Sequence, residues 1–208
     1  FGLDDVTWLG ISMGGWLCLR AAAHEPRIKR VIALSIAYDY MKIPPKPVEA
    51  FARWLFRYPQ LMNTLSAWKM KRMPQEKWGI DNLMYMTKTA TVIEAAQALL
   101  AFNADNLHSA SVTQDVLILT GAEDHFIPLK MHHLQMAALT QARSLTARIF
   151  TRADHAANHC QVGNIGLALQ VMHHWIAEKG PVPERTSQPV APHGSHSPVQ
   201  ALGAVQVA

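Results

Sequence analysis

The chain has little cysteine. Cys18 and Cys160 are its only two. Neither stands in a CxxC pair, which argues against a structural zinc site or a thiol–disulfide redox motif. Cys18 falls in an apolar helical run and reads as a core residue. The two could pair, but spacing alone does not decide it, and so thin a cysteine content points to a reducing, cytoplasmic setting. Charge is also sparse: 16% of residues are charged and the formal net charge is +4. Basic residues gather only briefly, at Lys69, Lys71 and Arg72, and do not alternate with aromatics, so no nucleic-acid partner is expected. No apolar run is long enough to span a bilayer, so no membrane partner is expected either. The start shows no signal-peptide pattern. Since the chain opens at Phe1 in mid-motif, the expectation is that its true N-terminus lies upstream.

What the chain has is apolar content, 50% of its residues. That is enough for one domain with its own core and too much for a disordered chain. After the turn-like Asp4-Asp5, residues 6–10 read as a short buried strand and 14–24 as a helix, with Pro26 just past its end. Residues 31–36 form a second, wholly apolar strand, the pattern of a parallel sheet covered on both faces. From about residue 41 to 110 the character changes. Pro44, Pro45 and Pro47 open a segment rich in Trp, Met, Phe and Leu, with helical spacing over 48–56, 61–73 and 92–102. The strand–helix rhythm resumes with strand 116–120, helix 129–139, strand 145–150 and helix 163–179. Beyond Pro181 the tail is rich in Pro, Ser, Gly, His and Gln and is expected to be disordered. The expected architecture is α/β: a mostly parallel sheet with flanking helices over 1–40 and 111–180, a helical cap over 41–110, and a tail over 181–208.

One motif carries chemistry. Gly10-Ile11-Ser12-Met13-Gly14 matches G-x-S-x-G, with a strand before it and a helix after it. In that setting the serine sits on a sharp turn that lifts its hydroxyl out of the sheet. A Cβ at Gly10 or Gly14 is expected to clash with neighbouring backbone. The following helix aims its N-terminus at the serine, which makes the Met13 amide a candidate oxyanion donor. A nucleophilic serine needs a base, and the base needs a carboxylate to orient it. Glu123 and Asp124 follow the third strand directly, where parallel sheets place functional groups, and Asp124 is favoured. The loop after the fourth strand offers His155 and His159, with His159 nearer the last helix. The remaining histidines, His132 among them, read as helix or loop surface, and His193 and His196 lie in the tail. A metal site at Asp154, His155 and His159 is not favoured. No cofactor is expected.

Ser12, Asp124 and His159, in that order, resemble the α/β-hydrolase superfamily, and the resemblance covers roughly residues 3–179. GISMGG and GAEDHFIP fit the superfamily pattern. The last loop, NHCQVGN followed by an apolar helix ending in HHWI, is similar to a branch that includes FrsA-like esterases and 2,6-dihydropseudooxynicotine hydrolase. In that branch the histidine directly before cysteine is the catalytic one, and this resemblance selects His159 over the runner-up His155. The stretch at Trp78-Gly79 and the apolar helices after it resemble that branch's cap.

The resemblance implies a serine hydrolase acting on an ester or related acyl bond of a small molecule. It also implies an earlier half, with several strands and the loop giving the second oxyanion amide, that this sequence lacks. Strand 6–10 would then be an exposed apolar edge, and the chain alone is expected to fold poorly and turn over little. Trp54, Phe56, Trp68, Trp78, Met84, Tyr85, Met86 and Phe102 either line an apolar pocket over Ser12 or pack the cap on itself. Rival readings are a carbon–carbon or peptide hydrolase on the same triad, or a non-catalytic binding protein on the same scaffold. Dehalogenase and epoxide hydrolase readings are disfavoured, because those enzymes resemble this fold but carry Asp at the elbow.

Overall fold

The computed structural model describes residue 3 and residues 5–180. Asp4, the 181–208 tail and its two histidines lie outside them. Four parallel strands, β1 (Val6–Ile11), β2 (Ile28–Leu34), β3 (Asp115–Gly121) and β4 (Ser144–Phe150), pair in chain order. α1 (Met13–Ala22) joins β1 to β2, and five helices separate β2 from β3: α2 (Lys46–Leu55), α3 (Pro59–Arg72), α4 (Pro74–Thr87), α5 (Val92–Leu99) and α6 (Ala104–Leu107). α7 (Lys130–Ala138) joins β3 to β4, and α8 (Ile165–Lys179) follows β4.

The continuous apolar strands are explained by cover on both faces. On one face Val31, Val116 and Ile118 pack with Trp16 and Leu19 of α1. On the other, Ile32, Leu34, Leu117, Leu119 and Phe150 pack with Ala168, Met172 and Trp175 of α8. Alternate residues of one strand serve opposite layers, as the pleat requires, and every residue of β3 is buried.

One strand starts earlier than its sequence reading, and the expected exposed edge is present. β2 begins at Ile28, three residues before the apolar run, because Arg30 is buried within it. Its guanidinium donates to Thr7 Oγ1, Gly180 O and Asp5 Oδ1, and a buried cation is tolerated where its donors are met. β1 has the apolar composition of a buried strand but forms the sheet's edge. Trp8, Leu9 and Ile11 are 45%, 42% and 46% exposed.

Between β2 and β3, Pro59 and Pro74 stand in the first turn of α3 and α4, where a missing N–H costs nothing. α5 opens on a capping box formed by Thr91 and Glu94. The chain returns to the core at Phe102, whose ring centroid lies 4.8 Å from that of Trp16 and 5.8 Å from that of Tyr40. Both cysteines are free thiols, and Cys18 is buried. Among the described residues no helix is long and apolar enough to cross a membrane.

Candidate active site

Ser12 stands between β1 and α1 with φ 55° and ψ −119°, a conformation that costs a non-glycine residue about 1–3 kcal/mol. Neighbouring contacts hold it there. Its N–H donates to Leu34 O of β2 at 2.9 Å, and its carbonyl accepts from Gly15 N–H at 2.9 Å. Serine at a helix N-cap ordinarily turns its hydroxyl onto the first-turn amides. Ser12 makes no such bond; its Oγ lies 3.1 Å from His159 Nε2.

The two motif glycines are not equivalent. A Cβ on Gly10 would fall 2.0 Å from Gly14 O, whereas one on Gly14 would meet nothing within 4 Å. The expectation of a clash at both is therefore corrected: α1 crosses β1 at Gly10, while the Cα of Gly14 faces open space. Gly10→Ala is expected to destabilise the protein by about 3 kcal/mol, at the upper end of overpacking costs. Gly14→Ala is expected to be neutral or stabilising by up to about 1 kcal/mol. Denaturant melts of the two variants check this ordering.

Asp124 lies three residues past the end of β3. Its Oδ1 accepts from the amides of Phe126 and Ile127, both at 2.9 Å. Its Oδ2 lies 2.7 Å from His159 Nδ1, and its side chain is fully buried. Burial pushes the carboxyl's pKa up, but His159 and the two amides outweigh it and hold it below the ordinary carboxylate value. Gly121 allows the close approach of the acid strand to the histidine loop. A Cβ there would meet Ala157 O at 2.3 Å and Asn158 O at 2.5 Å.

His159 follows β4 in a tight turn in which Cys160 and Gln161 both have left-handed backbones, φ 55° and 54°. With the Nδ1 proton directed at Asp124, Nε2 is left to accept from the Ser12 hydroxyl. Burial lowers the imidazole pKa, but Asp124 and the adjacent Cys160 outweigh it, and the net shift is upward, to about 9. The edge of His159 packs on Phe126, ring centroids 5.1 Å apart.

The other candidates lie elsewhere. His155 is exposed, and Glu123 bonds Arg152 on the surface. Asp154 pairs with Arg148 and caps the turn at Thr151. His132, read as a surface residue, is instead buried at 4% exposure, with Nδ1 2.9 Å from Thr120 Oγ1.

A cavity of about 960 Å³ opens between α4 and the acid loop, lined by Met73, Trp78, Ile80, Leu83 and Phe126, with Glu76 and His125 among its polar groups; Phe126 is the lining residue that packs on the His159 ring. Of the aromatics and methionines considered for such a pocket, Trp78 alone lines this one. Met84, Tyr85 and Met86 line a separate cavity, and Phe102 is packed in the core. Phe126 gave no sequence signal beyond its place two residues after Asp124.

A family model described as the alpha/beta hydrolase fold matches residues 1–161. Among solved structures, an N-acyl homoserine lactone degrading enzyme aligns with 16% identity and a TM-score of 0.52, over 84% of this chain and 68% of its own. A Pyrococcus furiosus esterase aligns with 13% identity and a TM-score of 0.48, over 84% of this chain and 52% of its own. A Paleococcus ferrophilus monoacylglycerol lipase aligns with 18% identity and a TM-score of 0.49, over 83% of this chain and 68% of its own. This chain thus spans about half the length of the Pyrococcus esterase. No curated protein sequence matches it.

Proposed function

Because the chain belongs to the alpha/beta hydrolase fold family, we propose that it carries the nucleophile, base and acid of a serine hydrolase that cleaves carboxylic esters of small molecules. The observation that supports this most is the relay itself: Ser12 Oγ to His159 Nε2 at 3.1 Å, and His159 Nδ1 to Asp124 Oδ2 at 2.7 Å. Ser12 gives up an N-cap bond to join it. The His159-Cys160 pair supports the narrower branch that includes the FrsA-like esterases.

The chemistry follows from those contacts. Nε2 takes the Ser12 proton as Oγ attacks the ester carbonyl carbon. The oxyanion forms beside the start of α1, where the Met13 amide has no intrahelical acceptor; one such donor is worth about 3 kcal/mol. The tetrahedral species collapses, and the imidazolium passes its proton to the departing alkoxide. Water then attacks the acyl-Ser12 carbonyl, with Nε2 as base. The carboxylic acid leaves and Ser12 regains its proton.

The chain is further read as the C-terminal portion of a longer hydrolase. The exposed apolar edge of β1 supports this. The second oxyanion amide would belong to the earlier part. Experiments on activity therefore use the full-length protein.

The apolar lining of the cavity that shares Phe126 with the His159 contact favours a neutral substrate with an extended apolar group. A panel of p-nitrophenyl esters of rising chain length, β-diketones and aminoacyl amides tests this. The expected result is ester turnover whose kcat/KM rises about fifteenfold for each two methylenes, at about 0.8 kcal/mol per buried CH₂, until the cavity is full. Trp78→Ala should flatten the rise. Turnover of β-diketones or amides alone would replace the ester assignment, and no turnover of any substrate would favour a binding protein.

A further inference from the structure

The strand between β1 and β3 ends in a dipeptide that bonds Ser12, the strand leading to Asp124 and the residue directly after His159. Leu34 is the last residue of β2, and its carbonyl accepts the Ser12 N–H at 2.9 Å. The next residue, Ser35, donates its own N–H to Leu119 O of β3, the acid's strand, at 2.8 Å. Its Oγ accepts from Cys160 N–H, the amide directly after His159, at 2.9 Å, and from Gln161 Nε2 at 3.4 Å. Ser35 is fully buried and left-handed, φ 47°. None of the three relay side chains bonds the Ser35 hydroxyl directly, and its backbone conformation suits glycine better.

The partner it holds is equally constrained. Cys160 and Gln161 are both left-handed without being glycine, a pairing that an isolated turn would not keep. Across the turn, the Gly163 N–H bonds Asn158 Oδ1 and the Gln161 N–H bonds Asn158 O. Those bonds close the turn on itself. Ser35 ties it to the sheet that also holds Ser12 and the acid strand.

We propose that Ser35 is a positioning residue: its hydroxyl oxygen, by accepting the Cys160 amide, fixes the His159 turn at the height on the sheet where the imidazole reaches both Ser12 and Asp124. This rests on the serine-hydrolase reading given above. Without that acceptor the Cys160 N–H is left unpaired against the end of β2, and the turn can shift to find water or another oxygen. A shift of about 1 Å is enough to cost about a hundredfold in rate.

Two variants separate positioning from stability. Ser35→Ala removes the hydroxyl and keeps the unfavourable left-handed demand. Ser35→Gly removes the hydroxyl and relieves that demand, so it should be the more stable of the two. In the full-length protein both are expected to lower kcat by about 10- to 100-fold, with KM unchanged. Fluorophosphonate labelling of Ser12 should slow by the same factor in both, although their melting temperatures differ. A folded Ser35→Gly protein with wild-type kcat and labelling rate would overturn the proposal, as would activity that follows the folded fraction across the two variants. The wild-type protein serves as the control for the underlying reading. If it does not label at Ser12, the relay assignment has failed; if it labels and the Ser35 variants label equally fast, Ser35 alone has been misassigned.

Discussion

Ser12→Ala in the full-length protein is expected to lower kcat by about a millionfold, the scale seen when a hydrolase loses its serine nucleophile. His159→Ala should cost about as much, because the two groups act as one unit and their losses do not add. The double variant should therefore be little worse than either single one. Stability separates this loss from a folding defect. An ordinary N-cap serine replaced by alanine costs about 1 kcal/mol, but Ser12 makes no cap bond to lose, so the melting temperature of Ser12→Ala should not fall. His155→Ala is the matched control. It removes an exposed imidazole from the same loop, and turnover should stay at the wild-type level. Steady-state kinetics beside thermal melts decide all four. A large loss in His155→Ala with turnover kept in His159→Ala would exchange the two assignments.

Asp124→Asn should lower kcat by about ten thousandfold, the cost of presenting an amide where the imidazole needs a carboxylate. The Asn NH₂ would donate to Nδ1, the ring would carry its proton on Nε2, and it could no longer accept from Ser12. The pH profile gives a second readout. As the proposed base, His159 would act when neutral, so with its pKa raised to about 9, wild-type kcat/KM should climb as pH rises through that value and level off above it. In Asp124→Asn the burial that lowers the imidazole pKa remains while the carboxylate is gone, so the rising limb should move to lower pH. Stability runs the opposite way in the wild type. A histidine raised above its ordinary 6.5 contributes fully below that pH, and the contribution is lost as pH rises through about 9. Asp124, held low, contributes above its ordinary 3.8 and stops contributing as pH falls through its lowered value. Glu123→Gln touches only a surface pair with Arg152 and should change neither the rate nor the limb.

The legible parts of this molecule are those whose cause is local. Ser12 stands out because five residues, a strand before them and a helix after them specify one turn. Asp124 stands out by position alone, just past an apolar strand. The choice between His159 and His155 was not legible in residue pattern. Both lie in one loop four positions apart, and the turn that presents His159 depends on left-handed backbones at Cys160 and Gln161, which neither residue type advertises. Family resemblance selected His159; the geometry brings that residue, and not His155, to Ser12 and Asp124. Ser35 is the same problem in another place, a common residue whose importance comes entirely from what folds against it.

Elsewhere, tertiary contacts override local pattern. Arg30 hides the true start of β2 because its donors are met by Asp5, Thr7 of β1 and the carbonyl of Gly180 just past α8. α4 is masked in sequence by Pro74 and Gly79, yet the proline falls in its first turn and the space around Gly79 is open. Glycine in a motif suggests a clash at both Gly10 and Gly14; the packing assigns the clash to Gly10 alone. His132 reads as surface because histidine usually is, and Thr120 is what permits its burial.

The most direct measurement is labelling of the full-length protein with a fluorophosphonate probe, followed by proteolysis and mass mapping of the adduct. A hydroxyl activated by a neighbouring imidazole reacts with such a probe, and an ordinary serine does not. One adduct is expected, on the peptide holding Ser12, formed faster as pH rises towards 9 and absent from the His159→Ala protein. Label on another serine, or label at Ser12 that persists undiminished without His159, would contradict it.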